Sequence, residues 1–266
     1  MIEWWQALLL ALIQGLTEFL PISSSAHLLL PSLLLGWADQ GLAFDVAVHF
    51  GTLLAVVLYF RADLWTLARG VLTSLQQRCH NESSREVLLL ALASLPAAGA
   101  GLALNAHMDR LRTVPVIVVT TIVFALLLWV ADRRVTASAR SSVGSWRTAI
   151  LIGCAQAIAP IPGTSRSGIT ITAGLLLGLS RHAAARFSFL LSIPIIAGAA
   201  LIKILELLDS GVVGELRWML LATAVAAVSA YSCIAVFLRL IERVGMTPFV
   251  IYRLLLGAFL IALWWR

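Results

Sequence analysis

Six stretches of the chain are apolar over lengths that can cross a bilayer, which takes about 20 helical residues. They run roughly over Leu42–Phe60, Val87–Leu104, Val114–Ala131, Phe187–Leu208, Trp218–Leu238 and Phe249–Trp265. Two more apolar regions, Trp4–Trp37 and Trp146–Leu179, are interrupted in the middle, at Pro21–Ser25 and Pro160–Ser167. Each half of these is 12 to 17 residues long, short for a crossing and suited to a helix that enters the membrane and turns back. The pattern predicts an all-α integral membrane protein with six transmembrane helices and two re-entrant helix–loop–helix pairs. Broken backbone at that depth is tolerated only where it is buried in protein or lines a cavity. The two breaks are therefore where chemistry is expected.

Composition agrees. Of 266 residues, 61% are hydrophobic and 12% charged, against about 25% charged in soluble domains. The nine tryptophans fall at or near segment ends, where amphipathic rings prefer the membrane interface. Residues 1–5 lack the basic start of a cleaved signal peptide, so the first segment is expected to be retained. The net charge of +6 is carried by arginines in short loops, which points to orientation in a membrane and to no nucleic-acid partner. With each re-entrant pair returning to its own side, one face collects Arg61, Arg69, Arg78, Arg85, Arg133, Arg134, Arg140, Arg147, Arg181, Arg186, Arg239 and Arg243. The other collects Arg110, Arg112, Arg217 and Arg266. The first face is expected to be cytoplasmic, which puts both termini and the mouth of the first pair outside and has the second pair enter from the cytoplasm. Arg61–Glu86 reads as a solvated loop, and its adjacent Cys79 and His80 lack partners for a metal. Cys154 and Cys233 read as small core residues, with no disulfide implied.

The chain also repeats. Gln14–Ala26 lies over Gln156–Gly168 at an offset of 142, so that Ser23-Ser24-Ser25-Ala26 falls on Ser165-Arg166-Ser167-Gly168. With one residue of slippage, Phe44 falls on Phe187. Each repeat holds one re-entrant pair and three spans, and three is odd, so the repeats are expected to be inverted. Their bounds are about 1–131 and 146–266, joined by a cytoplasmic loop over 132–145. Inverted repeats with broken helices place a site at the midplane where the breaks meet.

The first break reads Gln14-Gly-Leu-Thr-Glu18-Phe-Leu-Pro21-Ile-Ser23-Ser24-Ser25-Ala-His27. Gln14 and Glu18 share a helical face, Pro21 ends the helix, and serines favour the turn and cap that follow. A carboxylate at the centre of a bilayer costs roughly 2.5–3.5 kcal/mol on insertion scales, so Glu18 marks a functional site by default. The second break reads Pro160-Ile-Pro-Gly163-Thr164-Ser165-Arg166-Ser167-Gly-Ile-Thr170. Gly163 permits a tight turn. The following run exposes N–H groups at a new helix start, a natural anion site, and Arg166 offers a planar fork for phosphate oxygens. Together the breaks carry the equipment of phosphoryl transfer. The rival reading is a buried structural Glu18–Arg166 pair, which leaves the serines and His27 without a role. Asp45 and His49, four apart, could support the site but read rather as an interfacial pair. Lys203 and Glu206 are expected to pair locally, and Arg253 to snorkel or meet a helix C-terminus.

The two motifs resemble the signatures of the BacA-type undecaprenyl-diphosphate phosphatases, and the resemblance covers nearly the whole chain. It implies a multi-pass enzyme of the bacterial inner membrane, its site opening to the periplasmic face, that removes the terminal phosphate of a C55 polyprenyl diphosphate lipid. That reaction recycles the carrier for cell-wall synthesis and gives bacitracin resistance. It implies a divalent metal, Mg²⁺ or Ca²⁺, and leaves a homodimer open. By resemblance Glu18 is the essential carboxylate, Ser24 the hydroxyl, His27 the histidine and Arg166 the phosphate-binding arginine. Ser165 and Thr170 stand beside it, and Ser23, Ser25, Gly163, Thr164 and Ser167 complete the substrate-binding set. Gln14 takes a position where many members carry a second glutamate, so Glu18 and Gln14 are the expected metal ligands. Three chemistries stay open: Ser24 as nucleophile or water as nucleophile, each with His27 as base, or His27 itself as nucleophile. The alternative of another class is a polyprenyl-phosphate transporter or flippase built on the same inverted repeats.

Overall fold

The structure is a computed structural model that describes residues 3–38, 40–104, 108–210 and 216–264. Trp265 and Arg266, at the end of the last expected span, lie outside the described residues. The regular elements among the described residues are all helices, with a lone bridge between Arg140 and Leu179. In chain order the helices are α1 (Trp4–Thr17), α2 (Ser24–Leu35), α3 (Gly41–Tyr59), α4 (Arg61–Gln77), α5 (Glu82–Leu104), α6 (Met108–Leu111) and α7 (Val114–Arg133). They continue as α8 (Trp146–Gln156), α9 (Arg166–Leu176), α10 (Arg181–Ser210), α11 (Leu216–Val244) and α12 (Thr247–Trp264). Six of them, α3, α5, α7, α10, α11 and α12, are long and apolar enough to cross a membrane. Both interrupted regions form two short helices either side of their break, α1 with α2 and α8 with α9.

The spans begin or end a few residues beyond their apolar stretches, because the added polar residues find partners at one end of the bundle. Arg186 on α10 bonds Asp63 at 2.7 Å and also Glu86. Arg181 bonds Asp132 at 2.6 Å, and the other oxygen of Asp132 accepts the Met246 N–H. This is the end richest in arginine. At the opposite end, Trp4 stacks on Trp218 with centroids 6.4 Å apart, and Trp5 meets Trp37 edge-on at 5.2 Å.

Several expectations need correction here. Most of Arg61–Glu86 is helix α4 and the start of α5, not loop. Leu64, Leu67 and Val71 recur at helical spacing; Leu67 is buried and Leu64 packs on the main core. Asn81 then closes the turn by donating to the Gly70 carbonyl at 2.6 Å. Cys233 is buried as expected, but Cys154 points outward from α8 and is exposed. Among the described residues, no ion pair joins Lys203 to Glu206. The side chains of Asp45 and His49 do not pair either: Nδ1 of His49 meets the Asp45 carbonyl, and Gln40 donates to the Asp45 carboxylate.

The short helices pack against the opposite half of the chain. Helix α1 lies along α11, and α8 lies along α5. Glycines set both approaches: a Cβ on Gly15 would fall 2.6 Å from the Ala226 carbonyl oxygen, and one on Gly153 would fall 2.8 Å from the Ala93 Cα. The main core forms where these crossings converge, with Phe19 of the first break edge-on to Phe189 of α10 at 5.2 Å. Overpacking of this kind costs about 1–3 kcal/mol, so Gly153→Val should lower the thermal denaturation midpoint in detergent. By contrast, Gly101→Ala in α5, with open space around it, should leave the midpoint unchanged or raised. Equal midpoints for Gly153→Val and wild type would refute the close α8–α5 crossing.

Candidate active site

The first break is built by a helix that stops and a turn that local residues do not favour. Helix α1 closes on the Glu18 N–H, which donates to the Gln14 carbonyl at 3.0 Å. Phe19 and Ile22 are buried and anchor the turn. Ser23 then takes φ 75°, in the left-handed region, and α2 starts at Ser24. The second break repeats the device: Gly163 has φ 86°, Ser165 has φ 70°, and α9 starts at Arg166. A non-glycine residue with positive φ carries a cost of order 1–3 kcal/mol and persists where its surroundings over-determine it. The matching serine pairs are alike in detail, with hydroxyl oxygens 3.2 Å apart between Ser23 and Ser25 and again between Ser165 and Ser167.

Glu18 is the centre. Its Oε1 accepts from Arg166 at 3.0 Å, and its Oε2 accepts from the Ser24 hydroxyl at 2.6 Å and from the Gln14 amide nitrogen at 3.0 Å. The carboxylate is 9% exposed and the guanidinium 12%, so the pair is largely desolvated and its electrostatics are strong. Arg166 also donates to the Ser188 carbonyl at 3.3 Å and lies over the Phe19 ring.

The structure thus joins Gln14, Glu18, Ser24 and Arg166, and places the other expected residues around them in different roles. Ser167 donates to the Leu20 carbonyl at 2.8 Å and ties the second break to the first. Thr170 bonds the Ser188 hydroxyl at 2.7 Å and holds α9 to α10. The Ser165 hydroxyl accepts from the Gly168 N–H and caps α9. Among the described residues, no side chain caps α2, whose first N–H groups start beside Glu18 and Ser24. The Ser165 cap takes one first-turn N–H of α9 and leaves the others without intrahelical partners, as they are at the start of α2. Ser24 and His27 do not face one another: Ser24 turns to Glu18, while His27 bonds the Ser23 carbonyl and Tyr252.

Arg253 is the residue that sequence reasoning misplaced. It neither snorkels nor caps a helix C-terminus; it is fully buried on α12. Its fork donates to the carbonyls of Pro21 at 3.2 Å, Gly163 at 2.7 Å and Thr164 at 3.2 Å, and to those of Thr120 and Thr121 on α7. One side chain thereby satisfies freed backbone of both breaks. The one signal in the sequence was a cation in the middle of an apolar segment, which calls for an internal partner.

The expected Mg²⁺ or Ca²⁺ finds a poor resident site. Such ions take 6–8 oxygen ligands, or one or two carboxylates with substrate phosphates and water. Among the described residues, Glu18 is the one carboxylate at the two breaks, and both its oxygens are engaged by donors, one of them a guanidinium. Gln14 turns its nitrogen to Glu18 and leaves Oε1 buried without a partner, a single neutral donor atom. Among the described residues, no group of three His, Cys, Asp or Glu side chains could hold a metal.

Compared with known families, residues 7–259 match one family model, described as bacitracin resistance protein BacA. The match spans both breaks. The chain is also 57% identical over 263 residues to a protein of Alcanivorax borkumensis named undecaprenyl-diphosphatase, an alignment covering 97% of this chain and 98% of that protein.

Removing the Arg253 fork would strand several buried carbonyls, at about 1–3 kcal/mol for each buried group left unsatisfied. Arg253→Met should therefore lower the melting temperature in detergent by at least roughly 4–8 °C for a loss of about 2 kcal/mol. A variant that melts with the wild type would show that the breaks hold without it.

Proposed function

The chain belongs to the BacA family of bacitracin resistance proteins, and from that membership and the geometry of the two breaks we propose that it hydrolyses undecaprenyl diphosphate. The products are undecaprenyl phosphate and inorganic phosphate, so the reaction recycles the lipid carrier of cell-wall synthesis and removes the lipid that bacitracin sequesters. The Alcanivorax relative carries the name of that activity, which favours hydrolysis over transport.

The single observation that carries the chemistry is the 2.6 Å hydrogen bond from the Ser24 hydroxyl to Glu18. It favours Ser24 as nucleophile with Glu18 as its base, ahead of any pairing of Ser24 with His27. Arg166 exchanges Oε1 of Glu18 for the terminal phosphate, whose oxygens its planar fork matches, and the N–H groups that begin α2 at Ser24 add to its hold. Glu18 takes the Ser24 proton as the serine oxygen bonds the terminal phosphorus. The bridging P–O bond breaks and undecaprenyl phosphate leaves. Glu18 gives its proton to the departing undecaprenyl phosphate, then takes one from water as the water attacks the phosphoserine, and returns it to the serine oxygen as inorganic phosphate is released. Arg166 and the amide dipoles stabilise charge as it develops on the phosphoryl oxygens. A groove of about 370 Å³, lined by Leu16 and Leu20 of the first break and by Val236, Phe237 and Phe249 among others, is almost wholly apolar. Its lining suits the isoprenoid tail.

The short helix pairs act here as re-entrant hairpins of two inverted repeats, entering from opposite faces of the plasma membrane. The twin serine turns at φ 75° and 70° support this, as does the exchanged packing of α1 on α11 and α8 on α5. The arginine-rich end is then cytoplasmic, and the diphosphate reaches Glu18 from the outer face.

Two measurements test these readings. Glu18→Gln should lower kcat by about 10²–10⁴-fold, the usual contribution of a positioned base, and Ser24→Ala should abolish acid-stable phosphoserine in a single turnover of terminally labelled substrate. Full turnover by Ser24→Ala would return the attack to water. In a chain freed of its own cysteines, Ser138→Cys should be labelled from the cytoplasm and Ala38→Cys from outside; labelling of both from one side of sealed vesicles would refute the inverted arrangement.

A further inference from the structure

His27 is held at both ring nitrogens, and neither holds Ser24. Nδ1 lies 2.6 Å from the Ser23 carbonyl oxygen. A carbonyl can only accept, so Nδ1 carries the hydrogen. In the neutral ring Nε2 is then bare, and it lies 2.6 Å from the Tyr252 hydroxyl, which donates to it. The two rings are close to parallel, 13° apart, with centroids at 5.6 Å. Tyr252 sits on α12 beside Arg253, and α2 rests on α7 and α12 through Ala26, Leu29, Ile117 and Leu260. The Ser23 carbonyl belongs to the rigid peptide plane that carries the Ser24 nitrogen. That plane follows the strained φ of Ser23. In the second break, the equivalent turn is secured by the Ser165 cap and by Arg253 on the carbonyls of Gly163 and Thr164. Ser23 makes no such cap.

We propose that Tyr252 is a positioning residue: its hydroxyl fixes the His27 ring, and the ring fixes the Ser23–Ser24 peptide so that the Ser24 hydroxyl meets Glu18. This rests on the phosphatase reading above and gives His27 the role of a brace, not of base or nucleophile. The brace supplies for the first break what the Ser165 cap supplies for the second. Tyr252 is 42% exposed and contributes a ring that Phe can replace in place, so the hydroxyl can be tested without disturbing the core.

The test uses full-length protein in detergent micelles. In Y252F, kcat for phosphate release from undecaprenyl diphosphate should fall about tenfold with KM within about twofold, the scale of one lost hydrogen bond. In ¹⁵N-histidine spectra at a pH where imidazole is neutral, the His27 Nε2 resonance, assigned by its loss in His27→Asn, should move in Y252F. His27→Asn keeps an N–H for the Ser23 carbonyl and should retain about tenfold more kcat than His27→Leu, which keeps none. A wild-type kcat in Y252F, or a lowered kcat with an unmoved Nε2 resonance, would overturn the proposal. So would a His27→Asn enzyme as inactive as His27→Leu, since the ring would then be moving protons. Absence of phosphate release by the wild type would sink the hydrolase reading itself, whereas the spectra report the Tyr252–His27 contact independently of any turnover.

Discussion

Two interrupted helices stand in this membrane protein only because their freed backbone finds donors inside the protein. Lipid offers no substitute for water, and an unsatisfied carbonyl there costs several kcal/mol. Arg253 meets that constraint for both breaks at once, with one planar fork reaching Pro21 on one side and Gly163 and Thr164 on the other. Ser167 adds a second tie across the breaks through the Leu20 carbonyl. Everything else about the site follows from this fixed meeting of two loops. Glu18 ends one short helix, Arg166 begins another, and their contact at 3.0 Å is possible because the loops cannot separate.

The Glu18–Arg166 pair is therefore best seen as a resting state. Desolvating two charges can cost more than their attraction returns, and such a pair is held by the scaffold more than it holds the scaffold. A phosphate competes well for the guanidinium, since it offers the fork a bidentate partner of the same sign as the carboxylate. Once Arg166 turns to phosphate, Glu18 keeps the Ser24 hydroxyl and the Gln14 amide. The same contact that reads as structural without substrate thus leaves, on the proposed mechanism, the Glu18 carboxylate beside the Ser24 hydroxyl when substrate arrives.

The two breaks solve one geometric problem with different chemistry. Both place a serine at positive φ before a new helix, and both pair that serine with another two residues on. The second break caps one N–H of its helix start with Ser165 and presents a cation. The first carries no such side-chain cap and presents a hydroxyl to a carboxylate. A helix N-terminus carries partial positive charge, so Glu18 has a guanidinium on one oxygen and, on the other, the hydroxyl of the residue that begins α2.

The sequence by itself determined the spans and the two breaks, and it named the polar residues that the breaks bring together around Glu18. Hydropathy and proline placement act over a few neighbouring residues, so six spans and four short helices were legible within a few positions of their ends. Glu18, Ser24 and Arg166 were legible because charges and hydroxyls are costly at membrane depth and rarely stand there without a function. The one helix misread as loop, α4, carries too much charge for hydropathy to find. What tertiary structure alone decided is direction. Ser24 and His27 share a helix at a spacing that allows contact, yet one turns to Glu18 and the other to Tyr252, 225 residues away. Thr170 stands beside Arg166 in the sequence motif, and its hydroxyl joins α9 to α10 through Ser188. Arg253 could reach the membrane surface and instead fills the space between the breaks. Local pattern fixes which residues reach membrane depth, but where each side chain points there is set by packing partners far along the chain.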